Sequence, residues 1–158
     1  MRQAVAAIPS FDHLPAALNH GDCVPTNAVK RMDGQLVLID WADAGWGELI
    51  LDLAWLLIMG MGSIPDGSPA STTVEIDKTR LYAVIDGYCR YRVPTAEECA
   101  ILLDAIRFVP AVYSGLDFCA ACRQESSAAL WQGWWARYQV APLAATLAVE
   151  RIIQNRNL

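Results

Sequence analysis

An α+β fold, mostly α-helical, is what this sequence predicts, and three observations carry the prediction. Asp33-Gly34 stands between the short runs "NAVKRM" and "QLVLID", the pattern of a β-hairpin. From about Asp52 onward one helical signal follows another, with no further strand signal. At 158 residues the chain has the length of one domain able to bury a real core.

Residues 1 to 17 are mixed and loop-like, with Pro9 and Pro15, and the β signal runs from Ala17 to Asp40. "LDLAWLLIMG" predicts a helix with Asp52 as its N-cap, Leu51 and Leu56 at the staple positions, and Gly60 or Gly62 at its end. Ser63 to Ser71 has the composition of a loop. Val74, Leu81, Ile85 and Tyr88 recur at helical spacing, which predicts a helix from Val74 to about Arg92. Thr95 and Glu98 form a capping box opening a helix to about Phe108, where Pro110 breaks it or starts the next. Two more helices are expected, roughly 127–139 and, after Pro142, 143–154.

Composition narrows the function classes. Hydrophobic residues make up 54% and charged residues only 18%, so the domain is either well buried or keeps one face to be covered. A net charge of −5 argues against sequence-independent nucleic-acid binding, which needs a cationic face. The longest apolar run, Leu49 to Met61, is too short for a membrane span and contains Asp52. The N-terminal stretch lacks the apolar core of a signal peptide, so a cytoplasmic location is expected.

Five scattered cysteines suit a reducing compartment. Cys119 and Cys122 form one Cys-x-x-Cys, but a zinc site would need two more ligands and the only histidines, His13 and His20, lie far upstream. Buried small-residue packing is the expectation for that pair.

The hairpin is where chemistry enters. A two-residue Asp33-Gly34 turn pairs Met32 with Gln35, Arg31 with Leu36, Lys30 with Val37, Val29 with Leu38 and Ala28 with Ile39. Asn27 then opposes Asp40, and directly opposed side chains share one face. An amide oxygen and a carboxylate so placed can share one Mg²⁺, which takes oxygen ligands and keeps positions for phosphate and water. Asp22, five residues before Asn27, can curl over the same end as a base.

"HGDCVPTN", followed by "LIDWADAGWGELILDLA", resembles the aminoglycoside phosphotransferase (choline kinase-like) family, relatives of the protein kinases. The likeness runs from about Leu14 to Leu57. It implies a kinase-like C-terminal lobe, with catalytic loop and hairpin at 14–41 and a helical body at 49–158. Asp22 matches the aspartate that receives the acceptor hydroxyl's proton. Asn27 and Asp40 match the residues that hold Mg²⁺ against the phosphates of ATP. His20, the second candidate catalytic residue, matches one that fixes the loop's shape. Asp52 matches a buried aspartate that steadies the loop through backbone N–H groups. Val24, Thr26 and Glu48-Leu49 depart from the family's common residues without removing a catalytic group.

The motif begins at His20, and the chain has two lysines, Lys30 and Lys78, neither in the strand that pairs the phosphates in the family. The expectation is therefore a single domain, 1–158, without the N-terminal nucleotide-binding lobe and with activity at or near zero alone. The implied acceptor is a small hydroxyl compound, cationic if the aromatic residues of "LWQGWWARY" or the carboxylates of Asp43 and Glu48 attract it. Packing is the stronger expectation for that aromatic stripe. A non-enzymatic binding or dimerisation module built from the same lobe is the alternative, and a Mg²⁺-dependent hydrolase is a third.

Overall fold

The computed structural model describes residue 6 and residues 8–60, 74–124 and 128–156. Its architecture is α+β and 62% helical. Among the described residues four short strands form two separate two-stranded antiparallel sheets. β1 (Ala16–Asn19) pairs with β4 (Gly45–Glu48), and β2 (Ala28–Lys30) pairs with β3 (Leu36–Leu38). Four helices follow among the described residues: α1 (Leu49–Gly60), α2 (Lys78–Cys89), α3 (Ala96–Cys122) and α4 (Ala128–Arg156).

The sequence reading stops its β signal at Asp40 and so misses β4. Gly45-Trp46-Gly47-Glu48 has none of the apolar alternation that marks a strand; it is held by its partner, with Ala16 opposite Glu48 and Asn19 opposite Gly45. Sheet β1–β4 brackets the loop between Asn19 and Gly45, and α1 starts at the very next residue. Leu49 N donates to Pro15 O at 3.0 Å, which closes that junction.

Helix starts follow their caps. The Asp77 side chain accepts from Thr79 N and Arg80 N, so α2 begins at Lys78 and not at Val74. At α3 the capping box is complete: Glu98 N donates to Thr95 Oγ1 at 3.1 Å, and Thr95 N donates to Glu98 Oε2 at 2.8 Å. Glu98 is also fully buried, and Arg92 Nη2 donates to both of its oxygens at 2.7 Å. One side chain therefore caps α3 and anchors the turn before it. α1 begins three residues ahead of the expected cap, leaving Asp52 inside its first turn.

The prolines do not end their helices. α3 runs through Pro110, expected to break that helix or start another, and α4 runs through Pro142, expected to separate two helices. Each proline deprives the carbonyl four residues back of its helical donor, at a cost of about 3 kcal/mol. Packing offsets it. Pro110 is buried, and Ala105, Ala111, Ala141, Ala144, Ala145 and Ala148 are buried small residues on these two helices. With so little bulk between them, α3 and α4 pack along their length.

The continuous α3 is long and apolar enough to cross a membrane by length and composition, which the reading that ended it at Pro110 could not show. The core helix of a soluble protein passes the same test. Cys119 and Cys122 lie in its last turn, and both are exposed, so the expectation that they pack in the interior is wrong. The expected loop 63–71 lies outside the described residues.

The core joins all four helices: Ile50, Leu53, Leu57 and Ile58 from α1, Leu81 and Ile85 from α2, Leu102 and Ile106 from α3, and Ile152 from α4. Asp86 of α2 ties to α4 at its rim. Arg151 Nη2 donates to Asp86 Oδ2 at 2.5 Å, Arg151 Nε to Oδ1 at 2.6 Å, and Asn155 Nδ2 to Oδ1 at 2.9 Å. The Arg151 bonds, then that of Asn155, hold the Asp86 carboxyl below the usual carboxylate range. A depressed folded value means the bridge stabilises fully above the unfolded value near 4 and loses its effect as pH falls through the folded one. The stability difference between wild type and Asp86→Asn, measured by urea unfolding, is expected to be constant from pH 7 to about 5 and to close below about 4.

Candidate functional site

The segment from His20 to Asn27 is a loop ending in a 3₁₀ turn, Pro25–Asn27, and three tethers give it its shape. The first comes from α1. The Asp52 carboxylate accepts His20 N–H at 2.6 Å through Oδ2 and Gly21 N–H at 3.0 Å through Oδ1. The side chain expected to cap its own helix therefore caps the loop. Gly21 is required there: its φ is +80°, and an added Cβ would sit 2.3 Å from Asp43 O.

The second tether is His20, which is buried at 2% exposure. Its Nε2 lies 2.9 Å from Ile39 O, and its Nδ1 lies 3.3 Å from Asp22 N. A carbonyl can only accept and an amide N–H can only donate, so the ring proton belongs on Nε2. The imidazole links the loop to the chain just before Asp40, and its ring packs against Trp41 at 4.5 Å between centroids. Both nitrogens are used inside the protein, which makes His20 a positioning residue.

The third tether grips Asp22 itself. Asn27 Nδ2 donates to Asp22 Oδ2 at 2.8 Å and to Asp22 O at 3.0 Å. Trp55 Nε1 donates to Asp22 Oδ1 at 2.9 Å. Each carboxylate oxygen thus has one donor and keeps a lone pair for another. Trp55 was not found from the sequence, where its helix reads only as an apolar run. The signal lies three residues after Asp52: on one helical turn both side chains face the same loop.

The hairpin register differs from the expected one. Lys30 pairs with Leu36, Val29 with Val37 and Ala28 with Leu38. Gly34 N donates to Arg31 O at 3.0 Å and Arg31 N to Gln35 O at 2.8 Å, so the loop has three residues, Met32 to Gly34. Gly34 alone in that loop takes positive φ, +86°, as in a type I turn closed by a left-handed glycine. The whole ladder slips by one. Asn27 O consequently accepts from Ile39 N at 2.9 Å, and the direct opposition of Asn27 and Asp40 is lost. Asp40 follows in the left-handed region at φ 62°, a conformation aspartate tolerates better than most residues, and is exposed.

Among the described residues no three His, Cys, Asp or Glu gather as a metal-binding group. Asn27 and Asp40 still offer hard oxygens of the type Mg²⁺ takes alongside phosphate and water. Asn27 spends its Nδ2 inward on Asp22, and its amide oxygen is the atom suited to a cation. Beside Asp22, the Cys23 thiol is pushed up by burial, then by the Asp52 and Asp22 carboxylates, which disfavours its thiolate.

Beside the loop lies a cleft of about 330 Å³ lined by Asn19, Gly21, Asp43, Trp46, Trp55 and Tyr113, among others. Trp134 of α4 backs it. Its ring stacks with Tyr113 at 5.0 Å and with Trp55 at 6.0 Å, while Trp135 and Tyr138 stack on each other at 4.8 Å. The stripe in "LWQGWWARY" therefore splits. Trp134 is core behind the cleft, and the rest packs along its own helix and against α3, where Phe118 meets Trp131 edge-on.

Comparison with known proteins gives one family. The family model described as the phosphotransferase enzyme family (APH) matches residues 1–93. No curated protein matches the chain.

The bond set at Asp52 makes a direct prediction. Asp52→Asn turns one of two acceptors into a donor facing a backbone N–H. Stability is expected to fall by about 2 kcal/mol in urea unfolding, with the loss concentrated in hydrogen-exchange protection of His20 and Gly21.

Proposed function

The chain belongs to the phosphotransferase enzyme family, and on that premise we propose that it carries the catalytic lobe of an ATP- and Mg²⁺-dependent small-molecule O-phosphotransferase. The observation that carries the proposal is the grip on Asp22, with Asn27 on one carboxylate oxygen and Trp55 on the other. An ordinary surface aspartate is not held by an indole at 2.9 Å and an amide at 2.8 Å while its loop hangs from a second carboxylate.

In this reading Asp22 acts as general base. It takes the acceptor's hydroxyl proton as that oxygen bonds the γ-phosphorus, and ADP departs with the electrons of the broken bond. Asn27, through its amide oxygen, and Asp40 would hold the Mg²⁺, which supplies charge neutralisation at the phosphates. His20 and Asp52 keep the loop in place through the backbone and make no contact with substrate. Transfer by this chain alone is proposed to be at or near zero, because Lys30 lies in the hairpin and Lys78 opens α2, leaving no lysine for the phosphate clamp.

One observation favours a second reading, a dimerisation or binding module. The hairpin exposes Val29, Leu36, Val37, Leu38 and Ile39, with Trp41 beside them, more apolar surface than two short strands ordinarily show. A concentration-dependent dimer in sedimentation velocity, abolished by Leu36→Glu, is the outcome that reading expects.

Calorimetric titration of MgATP into the purified chain tests the leading one. Binding is expected to be about tenfold weaker in Asp40→Ala, which removes a proposed metal ligand. Equal binding by wild type and Asp40→Ala would remove Asp40 from the site.

A further inference from the structure

The cleft beside Asp22 carries more information than its position. Trp46, Leu51, Trp55, Phe108 and Tyr113 line it, and among its described lining residues the carboxylates are Asp43 and Asp52. Asp52 is spent on His20 N–H and Gly21 N–H. Among the described residues that leaves Asp43 as the carboxylate for a ligand, and none of the described lining residues is a lysine or arginine. The walls are thus aromatic and nearly uncharged.

Size adds a second restriction. At about 330 Å³ the cleft sits at the low end of the ~300–1,000 Å³ usual for ligand pockets. The cleft is open to one side, and its enclosed part matches one small ring system. A polyamine sugar would also bring several cations to a single carboxylate and lay its hydroxyl-rich faces against indole and phenyl rings.

Asn19 supplies a third observation. This residue is 8% exposed and lines the cleft; its Nδ2 donates to Glu48 O at 2.8 Å, while its buried Oδ1 has no partner. That acceptor is enclosed in the wall, and a ligand N–H or O–H would satisfy it once the Asn19 side chain turns toward the cleft.

We propose that this cleft takes an acceptor with a small aromatic or otherwise apolar ring, carrying the reacting hydroxyl and at most one amine. The inference rests on the phosphotransferase reading and names its substrate class. Trp46, which is 80% exposed on β4, and Tyr113 of α3 offer ring faces to the acceptor's body. Asp43 meets the amine. Trp55 connects the cleft to the chemistry: it lines the wall, and its N–H holds Asp22. Asp22 is not itself a lining residue, but its neighbour Gly21 and its donor Trp55 both are, so the cleft abuts the proposed base.

Binding, not turnover, is the readout, so the test does not depend on transfer by this chain. Phenylalaninol (one aromatic ring, one hydroxyl, one amine) and 2-deoxystreptamine (an aminocyclitol with two amines and no aromatic ring) are titrated separately against tryptophan fluorescence and by calorimetry, at low and high salt. Phenylalaninol is expected to bind more tightly, to weaken about tenfold in Trp46→Ala and to weaken only a few-fold in Asp43→Asn or at high salt. Tighter, salt-sensitive binding of 2-deoxystreptamine overturns the proposal. So does phenylalaninol binding that Trp46→Ala leaves unchanged, and so does no binding of either probe. Trp46 is solvent-exposed on a short strand, so its truncation leaves the core intact; retained far-UV dichroism verifies this. The MgATP titration with Asp40→Ala reports on the phosphotransferase reading separately, so the two can fail independently.

Discussion

Two hydrogen bonds from one carboxylate, at 2.6 and 3.0 Å, decide where the loop from His20 to Asn27 sits. Asp52 occupies the first turn of α1, and the rest of that helix is core: Ile50, Leu53, Leu57 and Ile58 are all 2% exposed or less. A carboxylate mounted on so rigid a base cannot drift, and the backbone of His20 and Gly21 is fixed with it. Everything downstream inherits the placement. His20 then reaches Ile39, and Asp22 turns to meet Asn27 and Trp55. The glycine follows from the same constraint, because no side chain fits where residue 21 meets the Asp43 carbonyl.

Charge explains why Asp52 can do this at modest cost. Asp52 is only half-buried, and each of its oxygens meets a donor, the backbone amides of His20 and Gly21. The arrangement also accounts for the failure of Asp52 as an N-cap. A side chain one turn into its helix points back toward the N-terminus, and the loop's amides lie there.

Much of this was legible in the sequence where a local rule and its tertiary setting agree. Thr95 and Glu98 form their capping box as spaced, and the bonds from Arg92 to the Glu98 carboxylate hold it in the capping position. The strands around Asp33-Gly34 exist, but their register does not follow from the dipeptide. Asp-Gly serves a two-residue turn with both residues at positive φ, or a three-residue loop with only the glycine there. Nothing local decides between them. Choosing the shorter loop displaced Asn27 by one partner, from Ile39 to Asp40. Pro110 and Pro142 misled for the opposite reason. Their local penalty is real, and the long alanine-lined seam between α3 and α4 outweighs it, a balance visible only when both helices are in place.

Trp55 marks the limit of reading by motif. By composition it is one apolar residue among twelve in α1; by position it belongs to three systems at once. Its ring packs with Trp134 and Tyr113 at 6.0 and 5.8 Å, so it is core. It also lines the cleft, and its N–H holds Asp22. A phenylalanine would serve the first two and an asparagine the third; an indole offers a large apolar face together with a donor at its edge. The packing of α4 against α1 is thereby transmitted to the carboxylate through a single rigid side chain. The helical body does more than support the loop, because the orientation of Asp22 depends on how three helices meet behind one tryptophan.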